Sequence, residues 1–299
     1  MPQPDVAKMR AEFGGPHELV HTSDGKILFV RRWDAKTESP VSVLIFHGIT
    51  AYSGPYGPMI ADQLSGAGFN VFGMDLRGHG LSDGSRGDYP SPERLVKDLS
   101  ETVALVKSKS KRLVVLGHSL GALSAIIAVN NIPQGIDGLV LVSAARRVKT
   151  GVYSKPSTGA LLKTLLGVAI LHGSPLIEYH REGMVGLDDP LFNFRYSSRF
   201  YSVMYGVSAL SASKMLSSGL IDSPSLKFKG KLGIPLLIGV GENDELFAVE
   251  YAKEFFQEID CDDKELFVIP GARHAVFPKD AWGPLLAWLA KRFEQIPAK

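Results

Sequence analysis

Residues 113–121 read Leu113-Val114-Val115-Leu116-Gly117-His118-Ser119-Leu120-Gly121. The first four are an apolar run of strand length, and residues 120–130 have helical character. On composition alone a Gly-x-Ser-x-Gly match arises about 0.3 times in a chain like this one, so the motif means little by itself. Its context changes that, because strand, Gly-x-Ser-x-Gly, helix is the pattern of a nucleophile elbow. So sharp a turn puts Ser119 in strained backbone geometry, and glycine at 117 and 121 leaves room where neighbouring segments crowd. The helix that follows aims its amino terminus at the place where an oxyanion would develop.

Outward from the elbow, strand-length runs at 41–46, 70–74, 112–116, 138–142, 235–240 and 265–269 alternate with helix-like segments. The helix-like segments are 57–67, 91–108, 120–130, 248–258 and 281–294. Several of the strand runs are almost continuous Val, Ile, Leu and Phe, as expected of strands covered on both faces. Residues 17–21 and 26–33 flank Ser23-Asp24-Gly25 and read as a hairpin. This rhythm predicts an α/β fold, a mostly parallel sheet with helices on both faces and an antiparallel hairpin at its start. From about 146 to 228 no strand pattern is visible, and that interval is too long for a loop. It is expected to be a helical cap inserted over one sheet edge. The expected division is therefore core at 1–145, cap at 146–228 and core again at 229–299.

The chain has 299 residues, 45% hydrophobic and 21% charged, which excludes disorder. Thirty-three basic against thirty-one acidic residues leave +2, and the charges are scattered, so nucleic acid is not an expected partner. The lone cysteine, Cys261, can form neither an internal disulfide nor a cysteine-rich metal site. Residues 1–15 lack the apolar stretch of a signal peptide, and the longest apolar run, 165–171, is far short of a membrane span. A soluble protein of a reducing compartment, the cytoplasm, is the expectation.

A serine nucleophile needs a base and a group that orients the base. Of eight histidines only His172, His180 and His274 follow Ser119, and the first two fall in the irregular interval. His274 sits in the loop after the last strand run, where the sites of open parallel sheets collect. The orienting acid should lie between serine and histidine in chain order. Gly241-Glu242-Asn243-Asp244-Glu245 follows a strand run and offers three carboxylates. Asp244 is preferred, Glu242 is the fallback, and Glu242 and Glu245 otherwise read as solvated. An oxyanion hole needs two backbone amides. Leu120 supplies one, and Ile49, in His47-Gly48-Ile49-Thr50 after residues 41–46, supplies the other. His47 and His79 read as braces of their loops and His118 as a buried neighbour of the elbow.

With these residues in hand the sequence resembles a known family. His47-Gly48, Ser53-Gly54-Pro55-Tyr56, Asp75-Leu76-Arg77-Gly78-His79-Gly80-Leu81-Ser82 and Gly117-His118-Ser119-Leu120-Gly121 look like the monoglyceride lipase and lysophospholipase branch of the α/β-hydrolases. Asp189-Pro190-Leu191, Asp244 and His274 also sit where that branch would have them. The resemblance implies an eight-stranded α/β-hydrolase core with a helical cap between the sixth and seventh strands. It also implies a Ser119, Asp244, His274 triad with an Ile49 and Leu120 oxyanion hole. It departs from the family's usual His-Gly-x-Gly-Glu-His-x-Gly pattern at Thr50, Ala51 and Tyr52, which replace Gly-Glu-His.

The expected cap is rich in Leu, Met, Phe and Tyr, including Leu161, Leu162, Leu165, Leu166, Met184, Phe200, Tyr201, Met204 and Tyr205. An apolar pocket over Ser119 would favour an acyl chain or an aromatic acid. The same surface leaves open a transient contact with a lipid interface. Lys149, Lys155 and Lys163 read as a solvated face. The reading is a serine carboxylic ester hydrolase acting on a small-molecule acyl ester, with neither metal nor organic cofactor. On the same triad an aromatic-acid esterase, a thioesterase or a proline-releasing aminopeptidase remains open, the last with Glu178, Glu182, Asp188 and Asp189 available to bind an amine. A non-catalytic ligand-binding protein of this fold is the rival of another class. Oligomeric state is not legible.

Overall fold

The computed structural model describes residues 4–37, 39–151, 158–179 and 185–294. Its strands are β1 His17–His21, β2 Ile27–Trp33, β3 Val41–Phe46, β4 Asn70–Met74, β5 Arg112–His118 and β6 Gly138–Val142. There follow the short β7 Ile177–Glu178 and β8 Arg195–Tyr196, then β9 Leu236–Gly241 and β10 Lys264–Ile269. The helices are α1 Val6–Ala11, α2 Asp62–Gly66, α3 Pro92–Ser108, α4 Leu120–Asn131, α5 Thr158–Ala169, α6 Ser198–Tyr205, α7 Ala209–Ser218, α8 Val249–Glu258 and α9 Gly283–Leu289.

Eight strands form one sheet in the order β1-β2-β4-β3-β5-β6-β9-β10. β1 and β2 pair antiparallel, as do β2 and β4, and the other pairings are parallel. The expected mostly parallel eight-stranded α/β architecture is what the chain adopts. Every residue of β3, β6 and β9 is buried. Alternate residues along the strands explain why: Leu44, Val115 and Leu139 pack into one core, Val43, Val114 and Val140 into the other. Helix α3 follows the sequence signal closely. Ser91 caps it by accepting from the Arg94 amide, Pro92 opens it, and Leu95, Leu99, Val103 and Val106 form its buried stripe.

The order reverses between β3 and β5. From β3 the chain winds outward to β4, and with β5 it crosses to the other side and winds on to β6, β9 and β10. At such a switch point the loops leaving adjacent carboxyl ends diverge and open a crevice. Register aligns Phe46 with Gly117, His118 with Val142 and Gly241 with Ile269, so the loops after β3, β5, β9 and β10 leave from one edge.

Two expectations change. The amino-terminal helix α1, capped by Asp5, was not anticipated. The interval between β6 and β9 carries helices α5, α6 and α7, but it also holds the two-residue antiparallel ladder β7-β8, a strand pairing too short to leave a periodicity in sequence. On α5, Leu162, Leu165, Leu166 and the following Ile170 face solvent, so part of the apolar character expected of a pocket lies on the surface. Met184, Lys155, His180 and Glu182 lie outside the described residues, as do the side chains of Leu161 and Lys163. Among the described residues no helix is long and apolar enough to cross a membrane.

Candidate active site

Ser119 lies between β5 and α4 with φ 54° and ψ −119°, a conformation a residue with a Cβ rarely adopts. Such strain costs about 1–3 kcal/mol and persists only where the surroundings fix it. Here they do. The Ser119 amide is held by the Val142 carbonyl at 3.0 Å. A Cβ on Gly121 would lie 2.0 Å from the Phe46 carbonyl oxygen, and one on Gly117 would lie 2.4 Å from that of Gly121. Glycine at both places is thus a packing requirement, as the motif implied.

Three of the expected side chains meet. The Ser119 hydroxyl is 3.0 Å from His274 Nε2, and His274 Nδ1 is 3.1 Å from each carboxylate oxygen of Asp244. Asp244 is fully buried and His274 nearly so. Burial pushes the pKa of the Asp244 carboxyl up, but the His274 ring and the amide of Phe247 outweigh it and hold the pKa at about 2. Asp244 Oδ1 accepts from the amides of Leu246 and Phe247 at 2.8 and 2.9 Å. The Ser143 hydroxyl is close enough to help keep the carboxylate ionised without meeting hydrogen-bond geometry.

Glu242 does not reach the imidazole; it accepts from the Gly271 amide at 2.8 Å. Glu245 is not merely solvated, because its Oε2 accepts from the His274 amide at 2.7 Å while Oε1 pairs with Arg273 at 2.5 Å. Lys149 likewise leaves its expected solvated face, donating to the Asp244 carbonyl at 2.6 Å. A cation and an anion therefore brace the backbones of the acid and the histidine. Neither role has a local signal, since the partners are 95 and 29 residues away.

The amide-bearing residues Ile49 and Leu120 both line one cavity with Ser119, and Ile49 lines a second as well. Gly48 packs so closely that a Cβ there would be 3.3 Å from that of Ser119. Its amide donates to the Tyr56 hydroxyl at 2.8 Å, the phenol is 2.7 Å from His118 Nδ1, and His118 Nε2 is 2.8 Å from the His274 carbonyl. His47 and His79 are braces, as expected. His47 Nε2 accepts from the Leu76 amide, His79 Nδ1 donates to the Arg77 carbonyl, and burial lowers the basicity of both rings. Asp75 takes the Ser53 and Leu81 amides at 2.6 and 2.8 Å.

Two pockets open on Ser119 and share Ile49 and Tyr179. One, of about 40 Å³, runs under Tyr179, Tyr201 and Tyr205. The other, of about 310 Å³, runs along Ala275, Val276 and Phe277. Among the described residues neither pocket is lined by a lysine, arginine or carboxylate. Tyr201 and Tyr205, four apart on α6, share a face with ring centroids 6.4 Å apart. That spacing was visible in sequence; what the pair faces was not. Glu178 pairs with Arg195, and Asp189 accepts from Tyr52, so these acids are engaged elsewhere.

Comparison with known proteins places the chain in a family. The family described as serine aminopeptidase, S33, matches residues 37–280. The human monoglyceride lipase is 27% identical over 274 residues, covering 87% of this chain and 83% of the lipase. An uncharacterized Escherichia coli protein, YnbC, is also 27% identical, over 262 residues, but this chain spans only 42% of its length. The crystal structure of the Paleococcus ferrophilus monoacylglycerol lipase superposes with a TM-score of 0.61 at 27% identity, covering 88% of this chain and 98% of that one.

Proposed function

Because this chain belongs to the serine aminopeptidase S33 family of α/β-hydrolases, we propose that it hydrolyses small-molecule carboxylic esters through Ser119, His274 and Asp244. The observation that carries the reading is the unbroken line from the Ser119 hydroxyl to His274 Nε2 and from Nδ1 to Asp244. It lies at the junction of two pockets without charged walls.

In this reading His274 takes the Ser119 proton as the hydroxyl oxygen attacks the ester carbonyl. The tetrahedral oxyanion receives the Ile49 and Leu120 amides, aided by the amino terminus of α4. His274 then protonates the leaving alcohol oxygen, and an acyl-Ser119 ester remains. Water, deprotonated by the same imidazole, attacks the acyl carbon and releases the acid. Asp244, kept ionised, holds the tautomer and offsets the imidazolium charge. Loss of one oxyanion donor should cost about 3 kcal/mol. The interval 146–228 serves as the cap that closes over this site, the core being 1–145 and 229–299.

The names of the relatives support ester hydrolysis over peptide hydrolysis, and so does the pocket chemistry. Recognition of a free amino terminus calls for a buried carboxylate, and among the described residues none lines either pocket. A chromogenic acyl ester assay tests the proposal. Turnover by the wild type and its loss in Ser119→Ala are expected; equal rates for the two proteins refute it.

A further inference from the structure

The two pockets differ in size, and the chemistry fixes which half of an ester enters each. His274 delivers its proton to the leaving oxygen, so the alcohol lies along the wall to which His274 belongs. That wall, His274 with Ala275, Val276 and Phe277, lines only the pocket of about 310 Å³. The acyl group is left the pocket of about 40 Å³, bounded by Leu120, Leu246, Phe247 and the three tyrosines. Resting on the proposed ester hydrolysis, we infer that the substrate is an ester of a short acid with a bulky apolar alcohol.

Magnitudes set the limits. A site for one water-sized group needs on the order of 10–15 Å³, so the smaller pocket takes about three such groups, an acetyl or propionyl chain. The larger pocket is about twice the roughly 150 Å³ engineered cavity that admits benzene, which gives room for an alcohol of two fused rings. Its walls suit such an alcohol. Pro55, Met59, Phe192, Val276 and Phe277 offer no polar groups from their side chains. Two polar side chains lining it, Tyr56 and His118, are already bonded to each other, and the Tyr56 oxygen also takes the Gly48 amide. Outside the reacting Ser119 and His274, Thr50 and Tyr179 are the other polar side chains there, so a polyhydroxy alcohol would surrender its water for few partners.

The test is a pair of ester series. With 1-naphthol as the common alcohol, kcat/KM should fall by about tenfold or more from acetyl to octanoyl. With acetyl as the common acid, benzyl acetate should exceed glycerol monoacetate by a similar factor, about tenfold, although the two leaving groups are of comparable basicity. Tyr205→Ala and, as a milder variant, Ile221→Ala should move the acyl optimum toward butanoyl or hexanoyl, because both residues wall the smaller pocket. Octanoyl turned over as fast as acetyl, or glycerol monoacetate preferred to benzyl acetate, overturns the inference and leaves ester hydrolysis standing. An acyl optimum unmoved in both folded variants overturns it as well. No turnover of any ester, with Ser119→Ala indistinguishable, removes the underlying activity and this substrate class together.

Discussion

The imidazole of His118 bonds to the backbone carbonyl of His274 at 2.8 Å, so the elbow holds the loop of its own partner histidine. A carbonyl can only accept, so His118 Nε2 carries a proton. In the neutral ring Nδ1 then accepts from the Tyr56 phenol, whose oxygen takes the Gly48 amide. One line of hydrogen bonds thereby joins the loop after β3, the elbow and the loop after β10. Tyr56→Phe removes the phenol oxygen that the buried Gly48 amide and the His118 ring both use. It should lower stability by about 1–3 kcal/mol in denaturant titration. It should also lower kcat more than it raises KM, because it loosens the reacting geometry and leaves the pocket walls in place.

Asp244→Asn should keep the fold and lower kcat by about 10⁴, since an amide presents the wrong partner to the imidazole. The same variant carries a stability signature. Asp244 is held at about 2, below its ordinary 3.8. Its contribution is complete above the ordinary value and is lost as pH falls through the folded value. Wild type should therefore give up about 2 kcal/mol between roughly pH 4 and pH 2 that the asparagine variant does not, as read by unfolding titrations at each pH.

Gly121→Ala should be strongly destabilised. The added methyl would meet the Phe46 carbonyl at 2.0 Å, and backbone cannot step aside as a flexible side chain can. A loss of about 3 kcal/mol or more is expected, measured as a fall in thermal midpoint.

Asp98→Ala should be among the most destabilising single changes away from the site. The fully buried Asp98 carboxylate takes Arg77 at 2.7 and 2.8 Å, Arg94 at 2.8 Å and the Tyr89 hydroxyl at 2.6 Å. Its removal leaves the buried Arg77 and Arg94 guanidinium groups with only the more exposed Asp24 and Glu101, which should cost about 3 kcal/mol in denaturant titration. Ester preference in the folded fraction should not change.

Much of this molecule is legible in its sequence because its signals are local. The Val and Leu runs of β3, β5, β6 and β9 mark strands buried on both faces, Ser91-Pro92 marks the start of α3, and Gly117 and Gly121 mark the elbow. Asp244 and His274 followed from chain order and strand ends. What stayed hidden depends on contacts between distant residues. Lys149 reads as a surface lysine until the Asp244 carbonyl is beside it, and Asp98 as one more charge on an amphipathic helix until Arg77 arrives. Tyr201 and Tyr205 read only as part of an apolar cap, and Tyr179 carries no signal of its own. Their role in narrowing one pocket appears only when α6 lies over Ser119.

The central claim is that Ser119 is the nucleophile activated by His274, and covalent labelling tests it most directly. The protein is treated with diethyl 4-nitrophenyl phosphate, which phosphorylates an activated serine and releases nitrophenol, and the adduct is located by peptide mass spectrometry. One diethyl phosphoryl group on Ser119 is the expected result, absent in Ser119→Ala and formed far more slowly in folded His274→Ala. An unlabelled Ser119, or equal labelling rates with and without His274, contradicts the account.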